Sequence, residues 1–463
     1  MAQTLGKGHL KKTLLVLNIL LLAYLSYSGF PTTVASLFVL TSFFYTIYSP
    51  IIGVFLVGSA LTLNGVQLFS AATPFLLWVM LAFSIGYVSR ALIAVRLNAL
   101  KINAVEMTVI VTLLLTTFLG LFLSQNYGRL PHWVAFCIGL FSSAFLIKVF
   151  ASQKVSAYWF FIYFSISSLV IILLPMVADG IAFSGRLTAN ENVRAAANAT
   201  GFFIVYFLTY IFFQSKKIQA REFLVLCLLI GLGVTVLLLT ASRGVFLSIM
   251  AALTVGILMA FAGSILRGRV KLSTITVLTS PVMLIGASII FQYHGSLMLA
   301  RLDRVEQGLD IRISFWLAAI DQMSFMSYLI GNGVATFRDL ANLGGFDYYA
   351  HSVFVDTFVS SGFIGLSVLL TLIFSLFVFS MRQEKYQTVS MLVFIVVAFS
   401  THGALNSFPF LIYFSIIIFT FLNEGMPNAR CGKSGNQRTA ARRRSANSKP
   451  LQKDCVPDGC AKK

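Results

Sequence analysis

The feature that most constrains this chain is a succession of long apolar stretches. Fourteen follow one another, at residues 13–29, 32–48, 51–69, 74–94, 104–124, 132–150, 157–176, 196–213, 223–239, 245–264, 272–291, 352–381, 388–402 and 405–422. Lipid offers the backbone no hydrogen-bond partners, so a crossing segment must satisfy its own amides within a helix. About 20 residues at 1.5 Å each cover the hydrocarbon core. Barrel strands would read instead as short alternating segments. The sequence therefore predicts an all-α, polytopic membrane helical bundle. The second and third runs are separated only by Ser49 and Pro50 and read either as two spans or as one broken element, so the expectation is roughly 12–14 transmembrane helices. Apolar residues make up 58% of the chain and charged residues 11%, so no soluble domain is needed to account for its 463 residues. The first run is followed by no small-residue cleavage site and reads as a retained helix, not a cleaved signal.

The net charge of +19 would suit a nucleic-acid partner if the basic residues formed a patch, but they recur at alternate helix ends. Of the 34 Lys and Arg residues, 26 fall at 1–12, 90–101, 148–154, 216–221, 267–271, 382–385 and the tail from Glu424. The other eight fall at 125–131, 177–195, 240–244 and 292–350. The positive-inside rule puts the first set, with both termini, in the cytoplasm, and faces the long loop outward. The organisation expected is N-terminal spans over 1–176, a core over 177–423 with an outer loop at 292–350, and a basic, disordered tail at 424–463 suited to anionic lipid. Cys137 and Cys227 lie in apolar runs and read as packing residues.

The outer loop is where polar chemistry concentrates. The stretch 303–365, which runs from this loop into the next apolar run, holds charge, glycine and aromatic residues inside an otherwise apolar chain, and His351 stands at the mouth of the next apolar helix. DIRISFWLAAI at 310–320 reads as an amphipathic surface helix: Ile311, Phe315, Ala318 and Ala319 form one face, and Ile313, Trp316, Leu317 and Ile320 blur it. Arg243 sits where one apolar run ends and the next begins. Arg186 and Arg194 flank GRLTANENVR, and Arg338 follows the GNG of 331–333. Asp356 follows His351 closely enough to orient it or to face the bundle interior. Tyr348, Tyr349 and Trp316 suit either sugar stacking or interfacial anchoring. His132 lies without charged company in the sequence. There is no DxD, no Walker or Rossmann glycine pattern, and no HExxH, GxSxG or CxxC, so no metal site and no cofactor are expected.

TASRGVFLSIMAAL at 240–253, DIRISFWLAAI at 310–320, LIGNGVATF at 329–337 and AHSVFVDTFVSSGFIG at 350–365 resemble, in that order, the C-terminal half of the O-antigen ligase and polymerase superfamily. The resemblance covers roughly 185–408, with GRLTANENVRAAA similar to that family's Asn-rich outer loop. It implies a metal-independent glycan transferase at the outer face of a bacterial inner membrane. The donor would be an undecaprenyl-diphosphate-linked glycan and the acceptor a saccharide, either lipid A-core or a growing glycan. The family's functional Arg, Arg and His positions match Arg243, Arg312 and His351; Arg186, Arg194, Arg338, Tyr348, Tyr349 and Trp316 are candidates for substrate contact. Ser352 departs from the Asn that the family often places after the histidine. The physical chemistry agrees with these roles: guanidinium groups grip phosphate bidentately and stay charged, while a neutral imidazole can take a hydroxyl proton. A transporter or flippase of lipid-linked sugars is the alternative, using the same basic groove without bond chemistry.

Overall fold

The computed structural model describes residues 2–27, 32–63, 75–95, 100, 102–153, 156–178, 193–214, 218–240, 242–265, 312–341, 350, 352–402 and 408–424. Among them there are helices and no strand. Among the described residues, eight helices are long and apolar enough to cross a membrane, and five shorter apolar helices accompany them. They fall on thirteen of the fourteen apolar runs; the run at 272–291 lies outside the described residues. The chain is an all-α, multi-pass membrane bundle.

The first ten helices are α1 (Ala2–Tyr27), α2 (Thr32–Tyr48), α3 (Pro50–Ala60), α4 (Phe75–Ile93), α5 (Ala104–Leu123), α6 (Leu130–Gln153), α7 (Ala157–Ala178), α8 (Val193–Gln214), α9 (Ala220–Thr240) and α10 (Arg243–Ile265). Three short helices follow, α11 (312–321), α12 (Phe325–Ile330) and α13 (Phe337–Leu340). The long α14 (Val353–Arg382), α15 (Tyr386–His402) and α16 (Phe408–Asn423) are the last of the described helices.

The break at Ser49 makes α2 and α3 two helices. Ser49 is extended (φ −154°, ψ 107°), and Pro50, which lacks a backbone donor, starts α3 where none is needed. A Cβ on Gly53 would lie 3.2 Å from Thr46 Cβ. Seven residues of continuous helix would separate those positions by about 10 Å, so the chain folds back on itself there.

Lipid tails are as apolar as leucine, so close packing rather than water exclusion holds such helices together. Here the packing is aromatic. Phe161 stacks on Tyr206 at 3.7 Å between ring centroids, and Phe150 on Phe419 at 3.9 Å. These pairs join helices from 1–176 to helices from 177–423, so the two expected regions share one core. Cys137 is half-buried, whereas Cys227 is exposed rather than packed within the chain.

The bundle has two ends. One carries the α5–α6 turn and α11–α13, and is called here the loop end. The other carries Lys148 near Glu106 at 3.5 Å, the α14–α15 turn and the end of α16, and is called the basic end. The division of the described loops between the ends follows the charge pattern. At the basic end Glu424, the first residue of the expected tail, belongs to the bundle instead. Its carboxylate accepts from the Gln387 and Thr388 backbone amides, both at 3.0 Å, and from Thr388 Oγ1 at 2.5 Å. It thus caps the first turn of α15, where the helix dipole favours an anion. Burial nevertheless pushes its pKa up to about 7, against the pull of those hydrogen bonds and of Lys385. Lys385 donates to the Phe421 carbonyl, lies 3.9 Å over the Phe421 ring, and is lowered by its own burial.

Candidate functional site

The loop end is built on a break in α14. Thirty residues of helix extend about 45 Å, more than a bilayer core requires. Gly362 interrupts them with φ 63° and ψ −164°. The interruption turns the Val359 and Ser360 carbonyls toward the GNG segment. The Asn332 N–H donates to Val359 O at 2.8 Å and the Gly333 N–H to Ser360 O at 2.9 Å. Irregular backbone at membrane depth is tolerated only where protein satisfies it, and here GNG does so.

Glycine is required on both sides of this joint. Gly331 has φ 82° and ψ −177°, which with Gly362 falls in a region essentially closed to side chains. A Cβ on Gly331 would overlap the Ser360–Ser361 backbone, and one on Gly362 the Leu329–Ile330 backbone. Asn332 is held in turn: its Oδ1 accepts from Ser327 Oγ at 2.8 Å and its carbonyl from Ser124 Oγ at 3.0 Å. Its Nδ2 and Ser360 Oγ are buried without a protein partner.

A small second core sits over this joint. Ala319, Met323, Phe337, Ala341, Ala350 and Val359 are buried in it, with Phe315, Trp316, Leu340, Val355 and Phe358 packed around. The helix expected at 310–320 is therefore present as α11, and its buried face includes Trp316. Of the residues that blurred the face, Ile313 and Leu317 are exposed. The Trp316 indole N–H donates to the Ala350 carbonyl at 2.7 Å. That bond ties α11 to the residue directly before position 351. Ser352 opens α14, its side chain accepting from the Val355 amide at 3.5 Å. Asp356 is 1% exposed and faces the interior, one of the two placements expected for it.

The candidates fall as follows. Arg312 is the first described residue of α11, one helical turn before Trp316, and half-buried. Arg338 is the second residue of α13, and Arg194 of α8; Arg243 opens α10, and only the backbone of these three is described. His351, Arg186, Tyr348 and Tyr349 lie outside the described residues. The structure thus gathers α11, α13 and the start of α14 around one core. The start of α10 packs against α8: a Cβ on Gly201, the ninth residue of α8, would overlap Val245, two residues beyond Arg243.

Two features escaped the sequence reading. Arg129 makes a two-bond contact with Asp339, Nη2 to Oδ1 at 2.7 Å and Nε to Oδ2 at 3.1 Å, with Asn126 Nδ2 on the same Oδ2 at 2.8 Å. The pair clamps the α5–α6 turn to α13. His132, read as lacking charged company, has both Arg129 and Asp339 as neighbours. No local signal could have revealed Asp339 as a partner, because it lies 210 positions from Arg129; Arg129 itself stands only three residues before His132 and was readable as its neighbour.

The architecture defines the class: a multi-pass helical membrane protein with a glycine-jointed cap at one end. No protein-family model matches the chain, and no curated protein matches it.

Proposed function

We propose that the chain is a metal-independent glycosyltransferase at the outer face of a bacterial inner membrane, with both termini cytoplasmic. It takes glycan from an undecaprenyl-diphosphate-linked donor and joins it to lipid A-core, as a ligase, or to a growing glycan, as a polymerase. The observation that carries this reading is the Trp316–Ala350 hydrogen bond, which sets the helix bearing Arg312 against Ala350, the residue before His351 in the sequence. The order of the motifs across 240–365 and the charge asymmetry of the loops support it.

In this reaction the acceptor hydroxyl oxygen attacks the anomeric carbon, and the bond from that carbon to the diphosphate oxygen breaks. The acceptor proton passes to the His351 imidazole, a step typically worth about 10²–10⁴-fold. The electron pair leaves with the diphosphate, where Arg312 and Arg243 stabilise the developing charge. The donor is already activated, so no gradient or nucleotide is consumed. Arg186, Arg194, Arg338, Tyr348, Tyr349 and Trp316 are the substrate-contact candidates of this reading.

The test is a glycan gel on a strain lacking the protein, complemented with wild type or His351→Ala. The expected result is loss of long-chain glycan with the variant, although it still inserts; wild-type glycan would remove His351 from the chemistry. Bare lipid A-core with accumulating carrier-linked polymer identifies a ligase. Single repeat units on the acceptor without long chains identify a polymerase.

A further inference from the structure

The cap at the loop end presents a second apolar surface, which the joint with α14 does not use. Phe325 is 78% exposed, Met326 58% and Leu329 41%. Ile313 and Leu317 extend the same character onto α11, and Asp321 is the only charged residue from 313 to 337. Water would make so apolar an exterior costly and prone to self-association.

Two measures of depth say what lies against it. The 20 residues of α14 beyond Gly362, at 1.5 Å each, are about 30 Å long and cross the hydrocarbon core by themselves, which puts Gly362 at its boundary. Gly120 lies one turn inside the end of the equally long α5, and a Cβ there would come within 2.5 Å of Gly333 N. GNG and the end of α12 therefore sit at the membrane boundary, while the Arg129–Asp339 pair marks the aqueous level beyond the end of α5. The α12 surface is also continuous with an exterior that is already lipid-facing. The Leu329–Ile330 backbone abuts Gly362, and the residues that follow, Phe363 and Ile364, are 62% and 40% exposed on the spanning helix.

We infer that α12 is an interfacial anchor, its outward face seated among the acyl chains of the leaflet at the loop end. The backbone is suited to that place. Ser324 caps the first turn of α12, the Gly331 N–H returns to the Ser327 carbonyl at 2.7 Å, and the next two amides are taken by α14. The partner is the bilayer itself. The consequence is that α11 and Arg312 are held at the height where lipid headgroups lie, with an edge open sideways to the leaflet. None of this depends on the glycan-transfer reading.

The test uses the full chain with its five cysteines replaced. Single cysteines at 325, 326 and 329 carry nitroxide labels in phosphatidylethanolamine–phosphatidylglycerol vesicles. Each label is probed with oxygen, which concentrates in acyl chains, and with a water-soluble nickel chelate. Labels at 374 on α14 and at 321 supply the lipid and water references. The three α12 labels are expected to match 374, with oxygen access exceeding nickel access. Behaviour like 321 would overturn the proposal, as would labels shielded from both reagents, which would mean a second copy or another part of the chain covers the face. Should a label prevent folding, the unlabelled chain in vesicles bearing photoactivatable acyl chains gives the same reading: adducts on Phe325–Leu329 support it, and their absence beside adducts on Phe374 overturns it.

Discussion

The two ends of α14 are finished by different chemistry. At the loop end the backbone closes the structure: GNG amides bond carbonyls freed by the Gly362 break, and glycine is demanded because backbone meets backbone. At the basic end a side chain closes it: Glu424, from the end of α16, caps α15 across the α14–α15 turn. A backbone joint carries no titratable group and admits no substitution. A carboxylate cap responds to pH and can be exchanged. The joint at the loop end is thus fixed by backbone, whereas the closure at the basic end depends on a carboxylate.

The loop end is most sensitive to substitution at its glycines. Gly331→Ala places a side chain in a conformation closed to it and against the Ser360–Ser361 backbone, at a cost on the order of 3–5 kcal/mol. The apparent melting temperature in detergent should collapse. Gly128→Ala, which meets nothing within 4 Å, should leave it unchanged. Equal effects from the two would show that the joint is not special.

At the basic end the effect is smaller and depends on pH. Glu424 is raised from about 4.5 to about 7 by burial, so the folded state binds the proton more tightly than the unfolded chain does. Its contribution is fully present below pH 4.5 and is lost as pH rises through 7. Melting followed from pH 5 to 8 should fall by the equivalent of about 2 kcal/mol in the wild type. Glu424→Gln should flatten that slope, and a slope that survives would assign it to another group.

Between these ends the bundle was largely legible. Apolar length alone located the spanning helices, because lipid leaves a backbone few alternatives; the run at 104–124 became α5 almost residue for residue. Of the short helices of the loop, α11 was legible from the apolar face of 310–320, whereas α12 and α13, at six and four residues, are too short to show a period. The break in α14 was not legible either, since AHSVFVDTFVSSGFIG reads as an unbroken apolar helix and nothing near Gly362 announces that residues 331–333 complete it. Nor did the sequence distinguish Trp316 as the residue that pins α11, because its partner is a backbone carbonyl and carbonyls carry no sequence identity. Glu424 looked like the first residue of a polar tail for the same reason: its partners are the amides of another helix.

Smaller effects are expected from two side-chain contacts of the loop end. Trp316→Phe keeps the ring packing but leaves the Ala350 carbonyl without its donor, at about 1–2 kcal/mol. Thermal melting should register that loss, and no change would show that the bond is dispensable. For Arg129 and Asp339, 25% and 40% exposed, a double-mutant cycle of alanine substitutions should give a coupling of about 0.5–1 kcal/mol that shrinks in high salt. A coupling indifferent to salt would mean that the clamp is held by packing and not by charge.

The most direct test of the central claim uses purified protein in vesicles with an undecaprenyl-diphosphate-linked glycan and a saccharide acceptor, without any ion gradient. The account predicts a lengthened or acceptor-joined glycan and one undecaprenyl diphosphate released per bond formed, with no product from His351→Ala. Passage of intact donor between leaflets with no new glycosidic bond would contradict it and make the protein a transporter.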